Sequence, residues 1–206
     1  MIQINILVKL TKQVATYCPQ LIYVPGQRTW IIGSSLVHWA SCRAKVRRKA
    51  VPALSKPSTS WHGERGMRWK QLLPKVRSLL KEEQPPQILL LHLGGNDLVS
   101  TSLRMLIQEI KKDLSKIKQL MPNTRILWSD IVARIQYRGA KSNAKTEKAR
   151  KSLNSTVHAH ISKLDGLCIR HPQINWTCTE LYRNDGVHLS KRGNDALLQN
   201  WHYYVV

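Results

Sequence analysis

The sequence predicts an α/β chain: a three-layer α/β/α sandwich around a mainly parallel sheet of about five strands. Three observations carry that prediction. From Thr29 onward, short apolar runs alternate with segments of helical period, the pattern of parallel strands joined by crossover helices. Ile88 to Leu93, within "PPQILLLHLGGND", is a nearly continuous apolar run bounded by prolines and glycines, as in a strand covered on both faces. Leu103, Leu106, Ile107, Ile110, Leu114, Ile117 and Leu120 repeat at helical spacing with charges between them. A chain of 206 residues, 42% hydrophobic, suits one core and is short for two. One domain is therefore expected over 29–206, behind an extension, 1–28, that has no clear period or motif.

In chain order, "TWIIG" (Thr29 to Gly33) is the first strand, after the turn-like "VPGQRT", and Leu36 to Arg48 the following helix. "PSTSWHGERG" is polar and Gly-bearing, so at most a short strand and a loop fit there. Met67, Trp69, Leu72, Leu73, Val76, Leu79 and Leu80 recur at helical intervals; Pro74 either kinks that helix or sits in its first turn. The central strand Ile88 to Leu93 precedes the amphipathic helix, whose start Ser100 or Thr101 is suited to cap. "TRILWSDIV" is the next strand, followed by the basic stretch "ARIQYRGAKSNAKTEKARK", part loop and then helix toward Asp165. A short strand at "GLCIR" and a helix after Ser190 complete the pattern.

Thirty-three Lys and Arg against 12 Asp and Glu give a formal charge of +21, and no acidic residue precedes Glu64. Such a charge attracts polyanions, so nucleic acid or an anionic surface is a possible non-specific partner. The runs Arg43 to Lys49 and Lys141 to Lys151 are by default solvated faces, and a nucleic-acid role requires them to converge. Cys18, Cys42, Cys168 and Cys178 form no CxxC pair, which favours a reduced, intracellular and cytoplasmic chain. No apolar segment reaches the roughly 18 residues of a membrane span. His158 and His160 are two apart on a helix and face different ways, so no metal pair is expected.

Three motifs fall where strands end and ligands bind in such folds. They are Gly33-Ser34-Ser35-Leu36, Gly94-Gly95-Asn96-Asp97, and "NDGVHLS" from Asn184 to Ser190. Singly, each has an ordinary reading: a helix cap at Ser35, a tight turn at Gly94 to Asp97, a structural pair of Asp185 and His188. A serine, a base and a carboxylate also form a hydrolytic set. The hydroxyl becomes nucleophilic when an imidazole takes its proton, and a carboxylate fixes the imidazole tautomer.

In order and conjunction these blocks resemble the SGNH hydrolase superfamily, the GDSL-type esterases and lipases, over about Thr29 to the C-terminus. The resemblance implies a flavodoxin-like fold and hydrolysis of a small acyl ester without metal or organic cofactor. Carried over by position, Ser35 matches the nucleophile, His188 the general base and Asp185 the residue that orients it. Ser35 and Asn96 match two oxyanion-hole positions, and the third is Gly66, with Gly63 as the alternative. Gly33, Gly94 and Asp97 match supporting positions. Ser34 stands where the family commonly has Asp, so a charge is missing beside the serine. "WIIGSSLVHWA", "ILLLHLGGNDL" and "LYRNDGVHLSKRGND" further resemble SGNH-type domains carried by vertebrate retrotransposons. The alternative reading is a catalytically weak or inactive module of mobile-element origin on this fold that binds nucleic acid through its basic surface.

Overall fold

The computed structural model describes residues 27–205. The expected extension, 1–28, lies outside the described residues except for Gln27 and Arg28. Five strands, β1 (Thr29–Gly33), β2 (Thr59–Gly63), β3 (Ile88–His92), β4 (Arg125–Ser129) and β5 (Leu167–Ile169), form one sheet. All its pairings are parallel, and the order is β2-β1-β3-β4-β5. Five helices cover it: α1 (Ser35–Val46), α2 (Leu72–Glu82), α3 (Leu103–Leu120), α4 (Asn143–Lys163) and α5 (Lys191–Val205). The chain reverses direction across the sheet between β1 and β3, which opens a crevice at their carboxyl ends.

Strand alternation divides the core in two. Trp30, Ile32, Leu89, Leu91, Ile126 and Trp128 face α2, α3 and α4 through Val76, Ile110, Leu114 and Val157. Ile31, Leu90, Leu127 and Ile169 face α1 and α5 through Val37, Ala40, Leu197 and Trp201. Each such large apolar side chain contributes about 1.5–3 kcal/mol by leaving water. β1 and β3 are buried along their whole length, which is why their sequences run apolar rather than alternating. β2 is an edge strand, half-buried throughout, so "TSWHG" carried only a weak strand signal.

Pro74 is the third residue of α2, where its missing N–H costs no helical bond. The cap of α3 differs from expectation. Ser102 holds that place and accepts from the Met105 N–H at 3.4 Å. The Ser100 and Thr101 amides instead donate to the Asp97 carbonyl, closing the turn after β3. α1 ends at Val46, two residues before the expected Arg48.

One polar network crosses the apolar interior. The Ser129 hydroxyl lies 2.8 Å from each of His92 Nδ1, His171 Nε2 and Trp201 Nε1. Asn200 Nδ2 donates to His171 Nδ1 at 2.8 Å, so His171 carries its proton on Nε2 and donates it to Ser129. Ser129 thus accepts from His171 and Trp201 and donates to His92. Burial pushes His92 down to about 3 and His171 well below its usual value, so both rings are neutral.

Candidate active site

The crevice is built where β1 turns into α1. A side chain at Gly33 would overlap the His92 carbonyl oxygen and the Val37 methyl, so only glycine lets β1 and α1 approach so closely. Ser34 is the N-cap residue of α1, with φ −85° and ψ −156°, but its side chain makes no capping bond. Ser35 is the first helical residue, 9% exposed, and its amide is one of the helix-start donors without a partner inside the helix. The hydroxyl of Ser35 is therefore not engaged in capping. It lies 3.1 Å from His188 Nε2.

His188 comes from the loop before α5. Its Nδ1 is 2.5 Å from Asp185 Oδ2, while Asp185 Oδ1 accepts from the Val187 and His188 amides, each at 2.9 Å. That double acceptance shapes the loop and fixes the carboxylate. Partial burial opposes its charge, but the bonds from His188 and the two amides outweigh it and hold the carboxyl well below the ordinary carboxylate range. An ionised Asp185 accepts only, so Nδ1 bears the proton and the Nε2 lone pair faces the Ser35 hydroxyl.

The turn after β3 supplies the opposite wall. Asn96 Nδ2 donates to the Met67 carbonyl at 3.1 Å, and its Oδ1 accepts from Arg134 Nη2 at 3.1 Å. The two bonds fix which way the amide points and leave its second N–H for the cleft. Asp97, buried, accepts from the Trp69 amide at 3.0 Å and so ties this turn to the segment before α2. Burial raises the Asp97 carboxyl above its usual value despite that bond. Gly94 takes a φ of +101°, which the turn requires. Of the two glycines left open by sequence, Gly66 lines the cleft with Ser35, Asn96 and His188. Gly63 instead packs against the backbone of α1 at His38.

Sequence reasoning missed Arg134. It sits in a stretch read only as basic and polar, yet burial lowers the pKa of its guanidinium, its Nη2 fixes Asn96, and its Nε has no hydrogen-bond partner among the described residues. His158 and His160 bond to Asp130 at 2.6 Å and Ser115 at 3.1 Å, on different elements. Among the described residues no group of three His, Cys, Asp or Glu is placed to hold a metal ion. No described helix is long and apolar enough to cross a membrane.

The Gly33-Ser34-Ser35 turn sits at the topological switch point of a parallel sheet of order 2-1-3-4-5, which defines an α/β/α sandwich. Solved structures narrow the class. A GDSL-like lipase from Bacteroides thetaiotaomicron superposes with a TM-score of 0.71 at 14% identity, over 98% of this chain and 97% of that one. A lipase/acylhydrolase from Enterococcus faecalis gives 0.65 at 12%, over 87% and 95%. A family 3 carbohydrate esterase from Clostridium thermocellum gives 0.60 at 16%, over 85% and 92%. The chain thus has the three-layer fold of the GDSL-type hydrolases. No family model and no curated protein sequence matches it.

Proposed function

We propose that the chain is a serine esterase that cleaves a small acyl ester through an acyl-enzyme intermediate. The observation that carries this reading is the unbroken chain from Ser35 Oγ to His188 Nε2 and from His188 Nδ1 to Asp185. His188 takes the hydroxyl proton as Ser35 Oγ attacks the acyl carbon, and Asp185 stabilises the imidazolium that forms. The oxyanion is received by the Ser35 amide at the positive end of α1, the Gly66 amide and the Asn96 side-chain N–H. His188 then protonates the departing alcohol, and a water activated by the same ring releases the acid and restores Ser35.

A fluorophosphonate probe tests the reading before any substrate is known. Labelling at Ser35, together with hydrolysis of p-nitrophenyl butyrate that disappears in Ser35→Ala and His188→Ala, is the expected result. Unchanged turnover in Ser35→Ala would sink it.

The charge of +21 favours a second reading, a nucleic-acid-binding module on the same fold. It requires affinity for RNA or DNA that falls steeply with salt, and binding that survives Ser35→Ala. No binding at low ionic strength would exclude it.

A further inference from the structure

The cleft beside Ser35 and His188 encloses about 480 Å³. Among the described residues five arginines line it, Arg65, Arg68, Arg134, Arg138 and Arg183, and no acidic side chain does. They come from three separate segments, after β2, after β4 and before Asp185, so the fold gathers them rather than a basic run. Arg134 is engaged with Asn96, and Arg138 lies 3.7 Å from Asp185. Arg65, Arg68 and Arg183 have no carboxylate within ion-pair distance among the described residues. Two of them share one aromatic ring: the guanidinium carbons of Arg65 and Arg183 stand 4.8 and 4.0 Å from the centre of Trp39. Trp39 thus holds two like charges at the cleft, a repulsion that a bound anion relieves.

We propose that this cleft selects acyl esters bearing a phosphate group near the scissile bond, an inference that rests on the esterase reading above. A carboxylate is satisfied by one guanidinium fork. Forks from separate segments suit a phosphate, with more oxygens and up to two charges. The volume suits one small ligand rather than a polymer. In the reaction the acyl C–O bond breaks, the acyl group passes to Ser35 Oγ and then to water, and the phosphate-bearing alcohol leaves with the proton from His188.

Butyryl glycerol phosphate and butyryl glycerol present the same ester, differ in the phosphate and stay soluble as monomers. We expect kcat/KM for the phosphate ester to be higher by about 10-fold or more at about 0.02 M salt, and the gap to shrink near about 0.5 M. Arg65→Gln and Arg68→Gln should each reduce that ratio, and Arg65→Lys should restore part of it. Equal turnover of the two esters overturns the proposal while leaving the esterase standing. If neither ester nor p-nitrophenyl butyrate is hydrolysed and the probe does not label Ser35, the esterase reading fails. Calorimetry on Ser35→Ala then still decides the site: tighter binding of the phosphate ester supports it, and equal binding overturns it. Stronger competition by a single-stranded RNA oligonucleotide than by glycerol phosphate would also overturn it, in favour of a polymer.

Discussion

Replacing Ser34 by Asp should stabilise the fold. Ser34 and Arg134 line the same narrow crevice beneath the β1 turn, together with His92 and Gly95. Arg134 is largely removed from water, spends one N–H on Asn96, and leaves Nε without a partner among the described residues. A buried donor left unsatisfied costs about 1–3 kcal/mol. A carboxylate at position 34 would enter the crevice that Arg134 also lines, and at the N-cap of α1 it would gain a further ~0.3–1 kcal/mol from the helix end. Its own desolvation takes back part of the sum, so about 2 kcal/mol remains. For a domain of this size that corresponds to a rise of about 4–8 °C in Tm.

The assay is thermal unfolding of four proteins: the natural chain, Ser34→Asp, Arg134→Met and the double variant. Coupling between neighbours is measured by the double variant alone. If the gain from Ser34→Asp persists undiminished in the Arg134→Met background, the pairing is refuted. An unchanged or lower Tm in Ser34→Asp itself refutes it more directly.

Three further outcomes follow from the site and its support. Asn96→Ala should lower kcat on p-nitrophenyl butyrate by about 100- to 1000-fold, the usual cost of one oxyanion donor, with the protein still folded by circular dichroism. Asp185→Asn should lower kcat by about 10,000-fold because an amide no longer enforces the Nδ1–H tautomer of His188; a loss under about 10-fold would show that the tautomer is set elsewhere. Acid should destabilise the fold through His92, whose native pKa of about 3 lies below the ordinary value of 6.5. The unfolded chain then binds more protons, so this stability is fully present above about pH 6.5 and is lost as pH falls. By about pH 4.5 His92 alone removes on the order of 3 kcal/mol, and His171 shifts the same way. Urea unfolding at about pH 7 and about pH 4.5 checks this, and equal stability at both would mean that His92 is not held neutral.

What was legible in the sequence was what is local. Gly33 to Leu36, Gly94 to Asp97 and Asp185 to His188 are contiguous blocks at strand ends, so order alone brought Ser35, Asn96, Asp185 and His188 to one crevice. Arg134 was illegible because its role exists only across β3 and β4, where its guanidinium meets the Asn96 amide. The pairing of the charges was illegible for a similar reason. Within the conspicuous basic runs, Arg43 is engaged by Asp195 through two bonds of 2.7 Å, and Arg150 by Glu147 through bonds of 2.8 and 2.7 Å. The unpaired charge at the cleft comes from scattered arginines that no run announces. Ser129 likewise gave no hint that it joins two histidines and Trp201, since those partners lie on three other segments.

The absent carboxylate at position 34 has a consequence for rate as well as for stability. Arg134 donates to Asn96 Oδ1, and a cationic donor on the oxygen draws electron density from the amide and strengthens its remaining N–H as a donor. With Ser34 beside it, the charge on Arg134 is left to act on Asn96 and on the nearby oxyanion. A carboxylate at 34 would neutralise that field while it stabilises the fold, so Ser34→Asp should raise Tm and lower kcat on p-nitrophenyl butyrate by about 3- to 10-fold. The two effects share one cause and should therefore fail together. In Arg134→Met, introducing Asp at position 34 should bring only the smaller gain in Tm that comes from the helix end, and no loss of rate. A kcat that rises along with Tm would instead mean that the carboxylate's main effect is to order the Ser35 turn, and that Arg134 positions Asn96 without polarising it.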